Sequence, residues 1–287
     1  IRWGKSISVL LPTRKRISLI KRCTESLLDN AKEPDKIQLL YGVDDDDSES
    51  LKFLKDIKHP ARSVIKFKRL GYENLHRYNN ALSVYAQGTW IMIFNDDAIM
   101  QTKDWDLEIG KFDGQFKLLR IQESTGHPYS IFPIVPWDWF RCLDHLSLHG
   151  QNDAWLSEIA YMLDIMQDVP VKVLHDRADI TGNNNDEIFK TRVYKEGNPK
   201  EEGDLHHQKM INSRFADASK LAWYLDKIGQ PSLHWQKIVR KEVEPFTKLA
   251  NKFEAYRNKG AVGQGLQNAR TPDQGTVKVS YSDIQKD

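Results

Sequence analysis

Three adjacent polar residues, Asn95-Asp96-Asp97, follow the apolar run Trp90-Ile91-Met92-Ile93-Phe94 without a spacer. Such a run reads as a buried strand, so the two carboxylates stand at the rim of a core. There they repel one another and cost desolvation unless something positive meets them. Neighbouring carboxylates at a strand end suit Mg²⁺ or Mn²⁺, which prefer oxygen ligands and often bridge to phosphates. An Asp-rich turn capping the next segment is the other reading. Comparable clusters stand at Thr13-Arg14-Lys15-Arg16, Asp44–Asp47, Gly150-Gln151-Asn152-Asp153 and His175-Asp176. His175 offers either an imidazole ligand to a carboxylate site, with Asp176 as its substitute, or a hydrogen bond at a strand end. The segment from Asp44 lacks the central glycine of an EF-hand loop, so calcium is not expected there. Asp45, Asp46 and Asp47 read as solvated, or as caps for a helix from Ser48. Trp137, Trp139 and Trp155 suit either stacking on a ligand or core packing.

These residues need elements to bring them together. Ser6–Leu11, Ile37–Val43, Val64–Phe67 and residues 89–94 read as strands. Between them lie three helical patterns: Ile20, Cys23, Leu27 and Leu28; residues 48–57; and Leu75, Tyr78, Leu82 and Tyr85, ended by Gly88. Strands alternating with helices imply βαβ units and a parallel sheet. Ligands of such sheets bind outside the carboxyl ends of the strands, where Thr13–Arg16, Asp44–Asp47 and Asn95–Asp97 all fall. Beyond residue 101 the expected elements are a strand over Tyr129–Val135 interrupted by Pro133, and a helix with Ile159, Met162, Leu163 and Met166 on one face. A strand over Val171–Leu174 ends at His175. Residues 183–204 read as a loop, about 205–228 and 233–257 as two helices, and Val277, Val279 and Tyr281 as a short strand. No internal repeat is present.

Composition narrows the class. A 40% hydrophobic and 29% charged chain is that of a soluble globular protein. The net charge of +2, from 42 basic and 40 acidic residues, does not by itself indicate nucleic acid. Basic residues do crowd the start, at Arg2, Lys5, Arg14, Lys15, Arg16, Lys21, Arg22, Lys32 and Lys36. That field suits a phosphate-bearing ligand or a solvated helix face. Two cysteines, Cys23 and Cys142, cannot build a disulfide framework, so a reducing, cytoplasmic setting is expected. No apolar stretch approaches the roughly 20 residues of a membrane helix. No secretory signal is visible, and Ile1 is not a natural start residue, which suggests a trimmed N-terminus.

Pro12-Thr13-Arg14-Lys15-Arg16, Ile20 and Ser26-Leu27-Leu28 resemble the first strand and helix of family 2-like glycosyltransferases with the GT-A fold, whose pattern there is Pro-Thr-x-Asn-Arg. Val43-Asp44 stands where that family places a base-contacting Asp. Asn80-Ala81 and Gly88-Thr89-Trp90-Ile91 resemble its Arg-Asn-x-Gly and Gly-x-Tyr-Ile elements, and Asn95-Asp96-Asp97 falls on its Asp-x-Asp motif. Gly150-Gln151-Asn152-Asp153 resembles the Gly-x-Glu-Asp element that carries the catalytic base of inverting members. The resemblance covers about residues 6–176. Departures are Asn95 for the first Asp, Lys15 for Asn, Asn79 for Arg, Leu82 for Gly and Asn152 for Glu.

The resemblance implies an α/β GT-A fold: a mostly parallel, Rossmann-like sheet flanked by helices, with a C-terminal helical extension. Residues 1–100 would form the nucleotide-sugar half of the domain, 101–190 the acceptor and catalytic half, 191–260 the extension and 261–287 a tail. It implies an inverting hexosyltransferase, with UDP the commonest nucleotide. Pro12, Thr13, Arg14, Arg16, Asp44, Asn80 and Asp96 would bind the donor. Asp97, with Asn95 and His175, would hold Mn²⁺ or Mg²⁺, and Asp153 would be the base; a helix N-cap is the alternative for Asp153. Two other classes stay open. One is an inactive GT-A-like binding or structural module. The other is a nucleotidyltransferase, which would call for a Gly-rich loop after the first strand, and Pro12–Arg16 contains no glycine. The acceptor is open among saccharide, protein, lipid and modified nucleic-acid base, and the C-terminal helices are candidates for homo-oligomer contacts.

Overall fold

A computed structural model describes residue 4, residues 6–184, residues 186, 188 and 190, and residues 203–258. In chain order the elements are β1 (Ile7–Thr13), α1 (Ile17–Asp29), β2 (Ile37–Asp44), α2 (Ser48–Asp56), β3 (Arg62–Phe67), α3 (Leu75–Ser83), β4 (Trp90–Ile93) and β5 (Ala98–Met100). There follow α4 (Trp105–Gly110), β6 (Leu118–Glu123), β7 (Ile134–Pro136), α5 (Trp137–Leu143), α6 (Asn152–Leu163), β8 (Met166–His175) and α7 (Ala178–Thr181). The last three are α8 (Gln208–Lys227), α9 (Leu233–Val239) and α10 (Thr247–Asn258). The eight strands form one sheet in the order β3-β2-β1-β4-β7-β6-β8-β5. It is parallel through β3, β2, β1 and β4 and again between β6 and β8, and antiparallel where β7 and β5 join.

Period-two patterning builds both faces of this sheet. Ile7, Val9 and Leu11 of β1, Leu39, Tyr41 and Val43 of β2, and Trp90 and Met92 of β4 share one core with Ile20, Cys23 and Leu27 of α1. Leu10, Leu40, Ile91 and Ile93 point the other way, into a second core with α3, α5, α6 and the C-terminal helices. Each fully buried Leu or Ile contributes about 1.5–3 kcal/mol. Every residue of α6 except Asp153 is buried. A helix buried all round must be covered on every side, and α8, α9 and α10 supply that cover on the side away from the sheet.

Several expected elements change. The strand expected over Tyr129–Val135 shrinks to Ile134–Pro136, because Pro133 has no N–H to donate and Ser130 N instead donates to Ser157 Oγ at 2.8 Å. The helix expected over 233–257 is two, α9 and α10; Pro245 cannot continue a helix and restricts the residue before it. Met166 belongs to β8, not to the preceding helix, since Asp164 turns left-handed at φ 56° and ends α6. The expected strand at Val277–Tyr281, the tail from 261 and most of the loop after 190 lie outside the described residues. Among the described residues no helix is long and apolar enough to cross a membrane.

Candidate functional site

The strand order reverses between β1 and β4: β2 and β3 follow β1 on one side, and β4 lies on the other. Such a switch point opens a crevice at the carboxyl ends of the strands. Here Thr13, the last residue of β1, donates Oγ1–H to Asp96 Oδ2 at 2.7 Å just past β4. Both are buried. The positive partner that the acidic pair requires is Arg16. Its Nη1 lies 2.9 Å from Asp96 Oδ1 and 3.5 Å from Asp97 Oδ2, and its Nε and Nη2 donate to Asp186 at 2.7 and 2.8 Å. Burial pushes the Asp96 carboxyl up; Arg16 pulls it down and Asp97 pushes it further up, leaving it at about 6.

On the β2 side, Asp44 is almost fully buried and held at both oxygens. Tyr78 Oη donates to Oδ1, and Arg14 Nη1 donates to Oδ2 at 3.0 Å. Arg14 also makes a forked contact with Asp46, which a planar guanidinium favours. Burial and the bond to Asp44 push the Tyr78 phenol up to about 12. Asp47 caps α2 through Ser50 N and accepts Lys15 N–H at 2.6 Å, tying the turn after β1 to the loop after β2. Lys15 adopts φ 51°, a left-handed conformation that Asn tolerates better than Lys. The Asn of the resembled motif therefore has a conformational reason to stand there.

His175 reaches the same edge through strand pairing: Ala98 of β5 is opposite His175 of β8, so Asp97 lands beside the imidazole. Nε2 lies 3.3 Å from Asp97 Oδ1, and both side chains are buried. One carboxylate and one imidazole so close together suit a divalent cation. Among the described residues no three His, Cys, Asp or Glu side chains are placed to hold one metal ion together, so phosphate oxygens and water would have to complete the shell. Asp176 does not serve as a substitute ligand. Arg22 donates to one of its oxygens at 2.5 Å, and Thr181 and Asn183 to the other at 2.7 and 2.9 Å. Burial works against its charged form, but those bonds hold its carboxyl down at about 2.

Helix α6 runs antiparallel to β8, so its first turn lies at the edge where β8 ends. Gln151 is the N-cap, so the N-cap reading of Asp153 does not hold; Asp153 sits inside the first turn, half-buried, where the helix dipole favours a carboxylate. Gly150 is required next to it, since a Cβ there would stand 2.4 Å from Glu73 O. His127 and Tyr129, on the loop after β6, lie within electrostatic reach of Asp153.

The edge thus gathers Thr13, Arg14, Arg16, Asp44, Asp96, Asp97 and His175, with Pro12 and Asn95 beside them in the chain. Asn80 is not gathered with them: its side chain accepts Leu146 N–H at 2.8 Å and donates to Ser147 O at 2.8 Å, bracing the loop before α6. Trp139 and Trp155 are fully buried, Trp155 Nε1 donating to Asp217 at 3.1 Å, so they pack rather than stack on a ligand. Sequence reasoning missed Tyr78 as a polar partner, Asp186 and His127. For Tyr78 the signal was its place four residues before Leu82 on the helix that faces β2; the other two carried none.

Residues 8–119 match the model of glycosyl transferase family 2. No curated protein matches the sequence. Residues 1–349 of TarS from S. aureus, solved in complex with UDP-GlcNAc, align at 14% identity over 88% of this chain and 80% of that one, with a TM-score of 0.54. Against a longer TarS structure the chain spans only half of the relative's length, at 13% identity over 78% of this chain and a TM-score of 0.46. The mannosyltransferase PcManGT from Pyrobaculum calidifontis, in complex with GDP-Man and Mn²⁺, aligns at 12% identity over 93% of this chain and 89% of that one, with a TM-score of 0.49. The likeness to TarS 1–349 is one of fold. Residues 8–119 thus resemble the glycosyl transferase family 2 domain, and the chain as a whole shares the GT-A-like fold of TarS 1–349.

Proposed function

We propose that the protein moves a hexosyl group from a nucleoside-diphosphate sugar, UDP first among the candidates, to an acceptor hydroxyl, inverting the anomeric carbon in one displacement. The observation that carries this reading is the convergence of Arg16, Asp96, Asp97 and His175 at one edge of the sheet; Asp153, in the first turn of the helix that leads into β8, is the carboxylate we assign as base. Asp44, Tyr78, Arg14 and Thr13 form the base and ribose side. Arg16 stands where the diphosphate would lie and can exchange its bond to Asp186 for one to phosphate. Asp97 and His175 would hold Mn²⁺ or Mg²⁺, which when bound neutralises charge growing on the departing diphosphate. Asp153 takes the proton of the attacking hydroxyl. The UDP-GlcNAc complex of TarS 1–349, on the same fold, supports a UDP-sugar donor. In this reading residues 1–100 form the donor half, 101–190 the catalytic half, and the helices after 203 brace α6.

The test is nucleoside diphosphate release from a panel of sugar nucleotides with Mn²⁺ or Mg²⁺. Release from at least one donor, abolished by Asp97→Ala and by Asp153→Asn, is expected. Donor binding without release by the native chain would instead favour a binding module. That second reading is supported by Arg14 being paired with Asp44 and Asp46, and Arg16 with Asp96 and Asp186, rather than open.

A further inference from the structure

The loop that leaves the carboxyl end of β6 is pinned to α6 at two successive points. Ser130 N donates to Ser157 Oγ at 2.8 Å, and Tyr129 Oη donates to Glu158 Oε1 at 2.9 Å. Asp153 lies one turn before Ser157 on the same helix face, so the residues just before Tyr129 run along that face towards Asp153. His127 occupies this stretch. Glu123 Oε1 accepts its backbone N–H at 2.9 Å, and its ring packs against Tyr129, Phe253 and Tyr256 at centroid distances of 5.2, 5.4 and 5.5 Å. Tyr129 N donates to its Nδ1 at 3.1 Å, which leaves the ring proton on Nε2 and the imidazole neutral.

We propose that His127 and Asp153 together hold the acceptor hydroxyl, His127 donating Nε2–H to the hydroxyl oxygen while Asp153 accepts its proton. This rests on the transfer reaction proposed above. An attacking hydroxyl needs an acceptor for the proton it loses and a donor that fixes its oxygen, and these two side chains supply one each. The hydroxyl oxygen then forms its bond to the anomeric carbon, the bond from that carbon to the diphosphate breaks with its electron pair on phosphate, and the proton passes to Asp153. His127 works only as the neutral ring, because protonating Nδ1 would set it against Tyr129 N–H. Burial favours the neutral form; Asp153 and Glu123 oppose it, and Arg177 and Arg120 reinforce it. Arg120 also fixes the loop, donating to Pro128 O at 2.9 Å.

Two-bond ¹H–¹⁵N spectra of the nine histidines, with His127 assigned by its loss in His127→Gln, test the pairing without turnover. The expected result is an Nε2–H tautomer that titrates below the ordinary histidine value, with a midpoint that falls further in Asp153→Asn. An Nδ1–H tautomer, or a midpoint that Asp153→Asn leaves in place, overturns it. In UDP-GlcNAc hydrolysis water takes the acceptor's place. There His127→Leu should lower kcat about tenfold at unchanged donor KM, and His127→Gln, which keeps an N–H donor, should recover most of the loss. Equal losses in both variants, or a change confined to donor KM, overturn the role. Expected spectra in a wild type that hydrolyses no sugar nucleotide would uphold the pairing and count against the transfer reaction.

Discussion

Replacing Arg16 by Met removes the guanidinium but keeps the apolar stem, leaving Asp96 and Asp97 buried beside each other. At a charge separation of about 4 Å and an effective dielectric of about 20, each lost pairing is worth roughly 4 kcal/mol. Breaking a buried pair typically costs about 3–5 kcal/mol once the site relaxes. Relaxation here means keeping a proton on Asp96. In the wild type that carboxyl sits at about 6, already above its ordinary value, so its contribution to stability is largest at low pH and is lost as pH rises through 6. Without Arg16 the folded-state value climbs further. The variant then retains a proton over pH 6–8 that the wild type gives up. Its stability should fall relative to wild type by about 1.4 kcal/mol per pH unit across that window, or about 2–3 kcal/mol in all. Urea unfolding followed by tryptophan fluorescence at pH 6 and pH 8 measures the gap. Asp96→Asn in the same background should remove most of its pH dependence. A gap equal at both pH values, or wider at pH 6, would refute the claim that Arg16 is the counter-ion of the acidic pair.

Lys15→Asn relieves a left-handed backbone at φ 51° and should stabilise the fold by about 1 kcal/mol, read as a higher melting temperature. Arg214 Nε lies 2.7 Å from Glu158 Oε2 with both side chains buried; Arg214→Met should cost about 3–5 kcal/mol in urea unfolding, and adding Glu158→Gln should restore part of it. Asp176, held down at about 2, contributes stability that is full above its unfolded value and lost as pH falls through 2. Asp176→Asn should therefore lose about 1–2 kcal/mol at pH 7 but little near pH 2, visible in acid unfolding curves.

Much of this edge was legible because its signals are local. Alternating apolar residues in β1, β2 and β4, separated by helical periods, leave few topologies, and each brings Thr13, Asp44 and Asp97 to one rim. What was hidden depends on contacts distant in sequence. Arg16 meets Asp96 across 80 residues and Asp186 across 170, and nothing in their spacing pairs them. Tyr78 reads as an apolar helix position, although its hydroxyl is committed to Asp44. Asn80 matched a motif, yet its amide turns to the loop at 146–147. His127 lies before the strand expected over Tyr129–Val135, in a stretch with no periodicity, so it gave no sign of its place.

The central claim is a single displacement driven by Asp153. It is tested most directly by following the anomeric proton of the first product formed from an α-linked UDP-sugar by ¹H NMR. The product should appear first as the β-anomer, and Asp153→Asn should form none while still binding the donor. A product of retained α configuration, or full activity in Asp153→Asn, would contradict the account.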